Sequence, residues 1–306
     1  MATESAIHNP QSALQGVSFV KNPARIRRRK LVSSLFAAVC FSTTLIALGA
    51  LVWLLWGIVR EGSSHLNANF MTSFPSRFAA KAGIKSALYG SVWVLCITLV
   101  AAVPIGVGAA IFLQEYAERN RFARFAQVNI ANLAGVPSIV YGILGLALFV
   151  RVLHFERSVL SGGLTLALLV MPIVIIAAQE ALRAVPSSLR DGSYALGATR
   201  WQTISRQVLP VALPGILTGV ILALSRAIGE TAPLIMMGAL TYVAFVPRGI
   251  LDGFTTLPIQ IFNWTSRPQI EFQQVAASGI LVLLAVLLTM NALAIWLRYR
   301  FYNKMS

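Results

Sequence analysis

Long apolar runs, separated by short polar segments, dominate the pattern of this chain. A helix needs about 20 apolar residues to cross a bilayer, and five uncharged runs reach that length: 31–59, 86–114, 125–150, 158–179 and 272–297. A further run, 207–247, is interrupted only by Arg226 and Glu230 and is too long for one helix. We place its span at 211–240 and let the remainder turn outward. The pattern therefore predicts an all-α protein with six transmembrane helices.

The composition of the chain agrees with a polytopic membrane protein. Hydrophobic residues make up 57% of the 306 residues and charged residues only 11%, which is more apolar surface than a soluble domain can bury. The formal net charge of +15 would suit a nucleic-acid partner, but the basic side chains lie between apolar runs and not on one face. We therefore expect membrane lipid around the chain and no nucleic acid.

The distribution of Lys and Arg predicts the orientation in the membrane. Of the 25 basic residues, 16 fall on the side that holds both termini and 8 on the other, with Arg226 inside the membrane. Positive residues favour the cytoplasmic side, so both termini are predicted to be cytoplasmic. We expect a disordered basic tail at 1–30, a six-span domain at 31–300 and a short cytoplasmic tail at 301–306.

The outer segment 241–271 is rich in aromatic residues, which indicates either a place in the lipid headgroup zone or a surface for an external partner.

The two cysteines, Cys40 and Cys96, both lie within apolar runs. We therefore expect neither a disulfide framework nor a metal site.

The cytoplasmic segment 180–210 is long for a connection between spans. The Pro-Ser-Ser sequence at 186–188 is a helix start signal, and the apolar spacing predicts two short helices that hinge at Gly197. Small side chains keep one side of this segment thin, so that the backbone of another protein can approach: Gly192, Ala195, Gly197 and Ala198. A helix pair that rests on the lipid surface is the alternative explanation.

This segment resembles the "EAA" loop of ABC importer permeases, which reads Glu-Ala-Ala, three residues, Gly, nine residues, Ile, one residue, Leu-Pro. The spacing from Asp191 through Gly197 to the Leu-Pro pair is kept, although Gly192 and Ser193 replace the two alanines and Gln207 replaces Ile. In that family the loop fits a groove of a cytoplasmic ATPase. The resemblance implies that the coupling contact is made by Asp191, Gly192, Ser193, Ala195, Gly197, Ala198, Leu209 and Pro210.

Four further stretches are similar to the A-type permease of phosphate ABC importers: 134–142, 164–172, 180–186 and 226–233. The last ends in Thr-Ala-Pro, where the sister C-type subunit usually has Thr-Met-Ala. The resemblance implies a six-helix type I ABC importer permease (MetI-like) bundle in the bacterial inner membrane. It also implies a homologous C-type permease, a dimer of ATP-binding subunits, an external phosphate-binding protein and inorganic phosphate as partners.

Arg226 and Glu230 are the charges that we place within the membrane core. Each costs about 3 kcal/mol to insert, and their spacing predicts that they share one helical face. Two explanations stay open: a self-satisfied ion pair that locks the helix in the bundle, or a water-filled anion route that Arg226 lines and Glu230 tunes. The hydroxyl groups of Thr231, Ser225 and Ser138 are candidate donors beside such a route.

Some relatives carry an Arg and a Glu in the fourth span where this chain has Ile176 and Gln179. This departure from the family pattern puts an ionic contribution from that span in doubt. The two charges of the fifth span would then act without help from the fourth.

Several absences bear on the class of protein. The chain contains no Gly-x-x-x-x-Gly-Lys-Ser/Thr sequence, so it is not expected to cradle ATP in that manner. No set of nucleophile, base and orienting group is apparent, and we expect no catalytic residue, cofactor or metal. Energy would come from a separate ATPase. A permease for another oxyanion, such as sulfate or molybdate, and an ATP-independent channel or carrier are the alternatives.

Overall fold

The structure is a computed structural model that describes residues 23–117, 121–239 and 242–302. Within those ranges the chain is helical apart from turns, loops and one isolated β-bridge between Ser158 and Gly253. The α-helices are α1 (Pro23–Gly62), α2 (Ala68–Thr72), α3 (Lys85–Ile111), α4 (Arg121–Ala134), α5 (Ser138–Gly145), α6 (Val159–Arg183), α7 (Ser187–Ala195), α8 (Arg200–Thr203), α9 (Leu209–Gly229), α10 (Ala232–Met237), α11 (Leu257–Thr265) and α12 (Ile270–Tyr302). Three π-helical turns follow α3, α5 and α8, at Phe112–Tyr116, Leu146–Val152 and Ile204–Val208, and 3₁₀ turns lie at Ser63–His65 and Ala79–Lys81.

Helix α1 begins before the predicted first span. Its first residue is Pro23, inside the stretch 1–30 that the composition predicts to be disordered, and residues 1–22 of that stretch lie outside the described residues. Contacts within the chain divide it into two units, 1–57 and 58–306. The side chains at 27–50 are all exposed, so the apolar surface of this part of α1 is not covered by other described residues.

Helices α3 and α6 pack closely in the second unit and run parallel. Gly163, near the start of α6, lies too close to Ile97 for a Cβ to fit, and Gly106, further along α3, lies too close to Val174. The Thr98 hydroxyl also donates to the Gly163 carbonyl at 3.0 Å. Because these contacts advance together along both helices, α3 and α6 cross the bundle in the same direction.

The third predicted span, 125–150, is not one straight helix. Helices α4 and α5 meet at 102°, because Pro137 lacks an N–H for the helical ladder and disfavours helical geometry at the preceding Val136. Since α3 and α6 are parallel, the bent pair must return the chain across the membrane between them. Five other described helices are long and apolar enough to span. The described residues therefore form six crossings, as predicted, with the third of them broken.

The fifth span ends earlier than the sequence predicts. Helix α9 stops at Gly229, not at residue 240, and Glu230 is extended, with φ −77° and ψ 121°, before α10 begins. Pro233 accounts for the break, because in a continuous helix its ring would clash with the carbonyl of Gly229. Glu230 therefore lies at the cap of the helix that carries Arg226, and the two side chains still meet at the i,i+4 spacing that the sequence predicts.

Polar contacts join α9 to α12. Arg298 Nη1 donates to Thr218 Oγ1 at 3.0 Å, and Ser225 Oγ donates to Asn291 Oδ1. Such bonds satisfy polar side chains where lipid offers no partner, so the hydroxyl of Ser225 serves the packing of the two helices. Helix α12 runs on to Tyr302, into the predicted tail 301–306, and residues 303–306 lie outside the described residues.

Part of the outer segment 241–271 folds into the bundle. Phe254 and Trp264 are fully buried, and so is most of α11. The Leu257 amide donates to the Ser91 hydroxyl of α3 at 2.8 Å, which attaches the start of α11 to the second span. For these two aromatic rings, the expectation of a headgroup-zone or partner-docking role is wrong, because the rings fill the core.

Candidate functional site

The predicted coupling segment forms two short helices, as its start signal and hinge indicate. Helix α7 begins directly after Pro186, and Gly197 takes a left-handed conformation with φ +79°, which glycine adopts without steric cost. A capping box between Thr199 and Gln202 then starts α8. The helix continues through a π-turn into α9, so the second short helix is the inner end of the fifth span. We refer to residues 187–206 as the coupling segment.

A concavity of about 530 Å³ lies along the coupling segment. Four of the predicted contact residues line it: Gly192, Ser193, Gly197 and Ala198. A Cβ on Gly192 or Gly197 would meet nothing within 4 Å, so internal packing does not require the small size of these residues. Leu196 in the same lining is 90% exposed. The surface therefore combines small side chains with an exposed leucine, and another molecule can approach it closely.

The other predicted contact residues divide into two groups. Asp191 and Ala195 are exposed on α7, next to the concavity in sequence although they do not line it. Leu209 and Pro210 are half-buried at the start of α9. A π-turn precedes Pro210, and its hydrogen-bond register differs from that of an α-helix. Because of this change, the proline ring does not clash with the carbonyl four residues earlier, and the helix stays continuous. The Leu-Pro pair therefore shapes the helix and is not part of the open surface.

Arg190 connects the coupling segment to two spans, a role that the sequence analysis missed. Its guanidinium forms two hydrogen bonds with Glu115, Nη2–Oε1 at 2.7 Å and Nε–Oε2 at 3.3 Å. It also donates to the carbonyls of Val185 at 2.8 Å and Leu182 at 3.0 Å, beside the end of α6. The side chains of Arg190 and Glu115 are 19% and 8% exposed. The sequence gives little indication of this contact. Glu115 is a single acidic residue after an apolar run, and it lies 75 positions from Arg190.

Two weaker contacts reinforce this attachment. The hydroxyl groups of Ser193 and Thr203 lie 2.9 Å apart, which joins α7 to the helix that leads into α9. The guanidinium of Arg200 stacks over the Tyr116 ring at 5.2 Å, beside Glu115 in the π-turn after α3. The coupling segment is therefore attached to the inner ends of three spans.

The intramembrane pair has a different geometry. Arg226 Nε donates to Glu230 Oε1 at 3.2 Å, and their side chains are 47% and 17% exposed. Arg226 lies sixteen residues beyond Pro210, which is about 24 Å along the helix, in the last turn of α9. About half of the Arg226 side chain is exposed, so this subunit does not bury the charge by itself.

The remaining predicted pathway residues lie near this pair to different degrees. Thr231 follows Glu230 directly and is the residue before α10, whereas Ser138 is the first residue of α5, which packs against α10. Both are half-buried. Within the described ranges, neither hydroxyl forms a hydrogen bond with Arg226 or Glu230. The structure therefore places Thr231 beside the pair and does not bring Ser138 into contact with it.

In the fourth span, Gln179 is buried, and its amide nitrogen has no hydrogen-bond partner among the described residues. Ile176 is half-buried on the same helix. Neither side chain carries a charge. At these two positions, α6 therefore contributes one polar group, the Gln179 amide, and no ionic group.

Comparison with known proteins identifies relatives over most of the chain. Residues 102–306 match the family described as "Binding-protein-dependent transport system inner membrane component". The chain is 33% identical to the phosphate transport system permease protein PstA 1 of Mycobacterium tuberculosis (strain CDC 1551 / Oshkosh), over 95% of this chain and 98% of that protein. It is 32% identical to the probable ABC transporter permease protein YqgI of Bacillus subtilis (strain 168), over 91% and 99%.

Solved structures share the fold at lower identity. A bacterial ABC transporter involved in the import of the acidic polysaccharide alginate matches with a TM-score of 0.61 and 12% identity, over 90% of this chain and 98% of that one. An inward-facing conformation of the MetNI methionine ABC transporter matches with a TM-score of 0.57 and 18% identity, over 71% and 96%. The fold is therefore that of the MetI-like importer permeases.

Proposed function

Because the chain belongs to the family of binding-protein-dependent transport system inner membrane components, we propose that it is the A-type membrane subunit of an ATP-driven importer of inorganic phosphate. Relatives whose names specify phosphate transport cover nearly the whole chain. The chain would sit in the bacterial inner membrane as a multi-pass subunit. It would perform no chemistry itself, and a partner chain would hydrolyse ATP.

The observation that carries this proposal is the half-exposed guanidinium of Arg226 on a membrane-crossing helix. A charged side chain within a membrane-crossing helix is costly where it faces lipid, so such residues face water or another protein. Arg226 donates only one hydrogen bond to Glu230, whereas a guanidinium has five N–H donors. The free donors are suited to an oxyanion such as phosphate.

Glu230 would prevent the anion from binding too firmly. A dianion on an unpaired arginine in a low-dielectric site would dissociate slowly, and transport requires release as well as entry. The carboxylate at 3.2 Å weakens the positive field of Arg226 and orients its guanidinium. Thr231 lies next in the chain, and its hydroxyl is a candidate second donor, with that of Ser138 as a more distant one.

The exposed side of Arg226 would face a homologous C-type permease, so that the translocation pathway lies between the two subunits. The coupling segment would bind one ATP-binding subunit of a dimer through the open surface at Gly192, Ser193, Gly197 and Ala198. An external phosphate-binding protein would deliver the substrate. Closure of the ATPase dimer would pull on residues 191–206 and rock the bundle between inward-open and outward-open states.

Reconstitution tests this function directly. The permease pair, the ATPase and the binding protein are placed in liposomes, and uptake of labelled phosphate is measured with ATP inside. We expect ATP-dependent uptake that excess sulfate or molybdate does not suppress. Uptake of sulfate without competition from phosphate would indicate a permease for another oxyanion. Uptake by this chain alone in liposomes, without the ATPase, would indicate a channel or carrier and refute the proposal.

A further inference from the structure

The attachment of the coupling segment suggests how motion reaches the spans. Arg190 donates to both carboxylate oxygens of Glu115 and to the carbonyls of Leu182 and Val185. Glu115 lies in the π-turn that ends the second span, and the two carbonyls lie beside the end of the fourth. One guanidinium therefore holds α7 against two parallel helices at once.

We propose that Arg190 is a positioning residue that makes the coupling segment and the inner ends of α3 and α6 move as one body. This rests on the proposed function, because the motion would come from the partner ATPase. We refer to Arg190, Glu115 and the two carbonyls as the clamp. The clamp would carry the motion of α7 to the second and fourth spans.

The chemistry of the clamp suits this role. A planar guanidinium that binds a carboxylate through two donors fixes orientation as well as distance, which the flexible ammonium group of a lysine does not. Both side chains are largely buried, so salt screens the pair less than an exposed one. Removal of either partner would leave an uncompensated charge in a poorly solvated place. The pair should therefore persist while the segment moves.

The fifth span does not depend on the clamp. Helix α8 continues through a π-turn into α9, and the Ser193–Thr203 contact joins α7 to this helix at 2.9 Å. With the clamp broken, motion of the coupling segment would still reach α9. It would reach α3 much less, because among the described residues the remaining polar or ring contact with α3 is the stacking of the exposed Arg200 on the half-buried Tyr116. Helix α6 would stay joined to α7 through residues 184–186.

The first arm of the test uses the full reconstituted complex with Glu115→Gln or Arg190→Lys in this chain. ATP hydrolysed per phosphate taken up should rise about tenfold, the scale of typical allosteric coupling, while the ATPase still co-purifies. Glu180→Gln is the matched control, because Glu180 pairs with Arg183 at 2.9 Å but both are well exposed, at 61% and 57%. An unchanged ratio in Glu115→Gln, or the same rise in the control, would overturn the clamp.

The second arm does not depend on the substrate. Hydrogen exchange is measured in the complex with and without a non-hydrolysable ATP analogue, for peptides that cover 112–117 and 187–196. In the wild type both peptides should respond to the nucleotide. In Glu115→Gln only 187–196 should respond, because the ATPase still moves α7 but α3 no longer follows. A response of 112–117 that persists in Glu115→Gln would refute the proposal, whereas absence of phosphate uptake by the wild type would refute only the proposed function.

Discussion

The subunit contains two arginine–glutamate pairs that are held in very different ways. Arg190 contacts Glu115 through two hydrogen bonds and also binds two carbonyls, with 19% and 8% of the paired side chains exposed. Arg226 contacts Glu230 once, at 3.2 Å, with 47% and 17% exposed. The first guanidinium uses four of its five N–H donors within its own chain. Among the described residues, the second donates one side-chain hydrogen bond, which leaves most of its donors for another partner.

The difference separates a mechanical role from a binding role. Four acceptors around one guanidinium fix its place, so Arg190 is suited to hold helix ends together, and a single N–H on Nη1 remains. Arg226 is a charge on a membrane-crossing helix that is only partly compensated within the described chain. The cost of that charge is understandable if an anion and a second subunit complete the site. In the proposed function, the two pairs would together connect ATPase motion to the anion route.

Loss of Arg226 should have the largest effect. Arg226→Gln removes the free positive donors, so uptake of labelled phosphate by the reconstituted complex should fall to the level of empty liposomes while all subunits co-purify. Arg183→Gln serves as the control, because Arg183 is well exposed beyond the span. If Arg226→Gln instead prevents assembly of the complex, the pair is a structural lock and the contrast between the two pairs disappears.

Bulk on the coupling surface should have the next largest effect. Gly192→Leu meets open space in this chain, so the subunit should fold, but a partner backbone that approaches closely would be pushed away. An overpacked contact costs about 1–3 kcal/mol, which weakens ATPase binding about tenfold or more. Affinity is measured with purified ATPase and the permease pair. Gly49→Leu, at a helical glycine that also meets open space in α1, should bind the ATPase like the wild type.

A moderate effect is expected from Glu230→Gln. Without the carboxylate, Arg226 should hold phosphate more firmly and release it more slowly. The apparent affinity for phosphate should rise about two- to fivefold, the scale of a partly exposed ion pair, and the turnover should fall. Concentration dependence of uptake measures both quantities. A weaker apparent affinity with unchanged turnover would show that Glu230 does not moderate Arg226.

The smallest effect is expected at the outer segment. Asp252 Oδ2 accepts from the amides of Arg248 and Gly249 at 2.7 and 2.9 Å, and these two bonds lower the pKa of that carboxyl. Its contribution to the stability of the turn is present at neutral pH. It is lost as the pH falls through the lowered pKa, below the usual aspartate value of about 3.9. Asp252→Asn should speed hydrogen exchange at 248–249 at pH 7 and leave phosphate uptake unchanged; slower uptake would contradict this assignment.

Periodicity and spacing predict much of this architecture. The count of six spans, the helix start after Pro186 and the hinge at Gly197 follow from local features, because run length, proline and glycine act on their immediate neighbours. The break between α9 and α10 has a local signal as well, since Pro233 is incompatible with a helix through Gly229. The apolar run hides that signal, and the span is predicted to reach residue 240.

Contacts between distant parts of the chain could not be predicted in this way. Glu115 and Arg190 are 75 positions apart, and nothing in the sequence near either residue indicates the other. The burial of Phe254 depends on how the outer segment folds back onto Gly162 of α6, and that of Trp264 on its contacts with Phe70 of α2 and Gly279 of α12. For Arg226, the sequence shows a charge in a span, but whether it faces inward or outward depends on the packing of α9 against its neighbours.

The proposal that an aqueous anion route passes Arg226 is tested by the reactivity of a cysteine at position 226. In the assembled complex, with Cys40 and Cys96 replaced by alanine, Arg226→Cys is exposed to a small, anionic, membrane-impermeant thiol reagent, and Ala223→Cys serves as the buried control on the same helix, at 1% exposure. We expect position 226 to react and position 223 to remain inert, because an aqueous anion route passes Arg226. No reaction at position 226 from either side of the membrane would contradict the account.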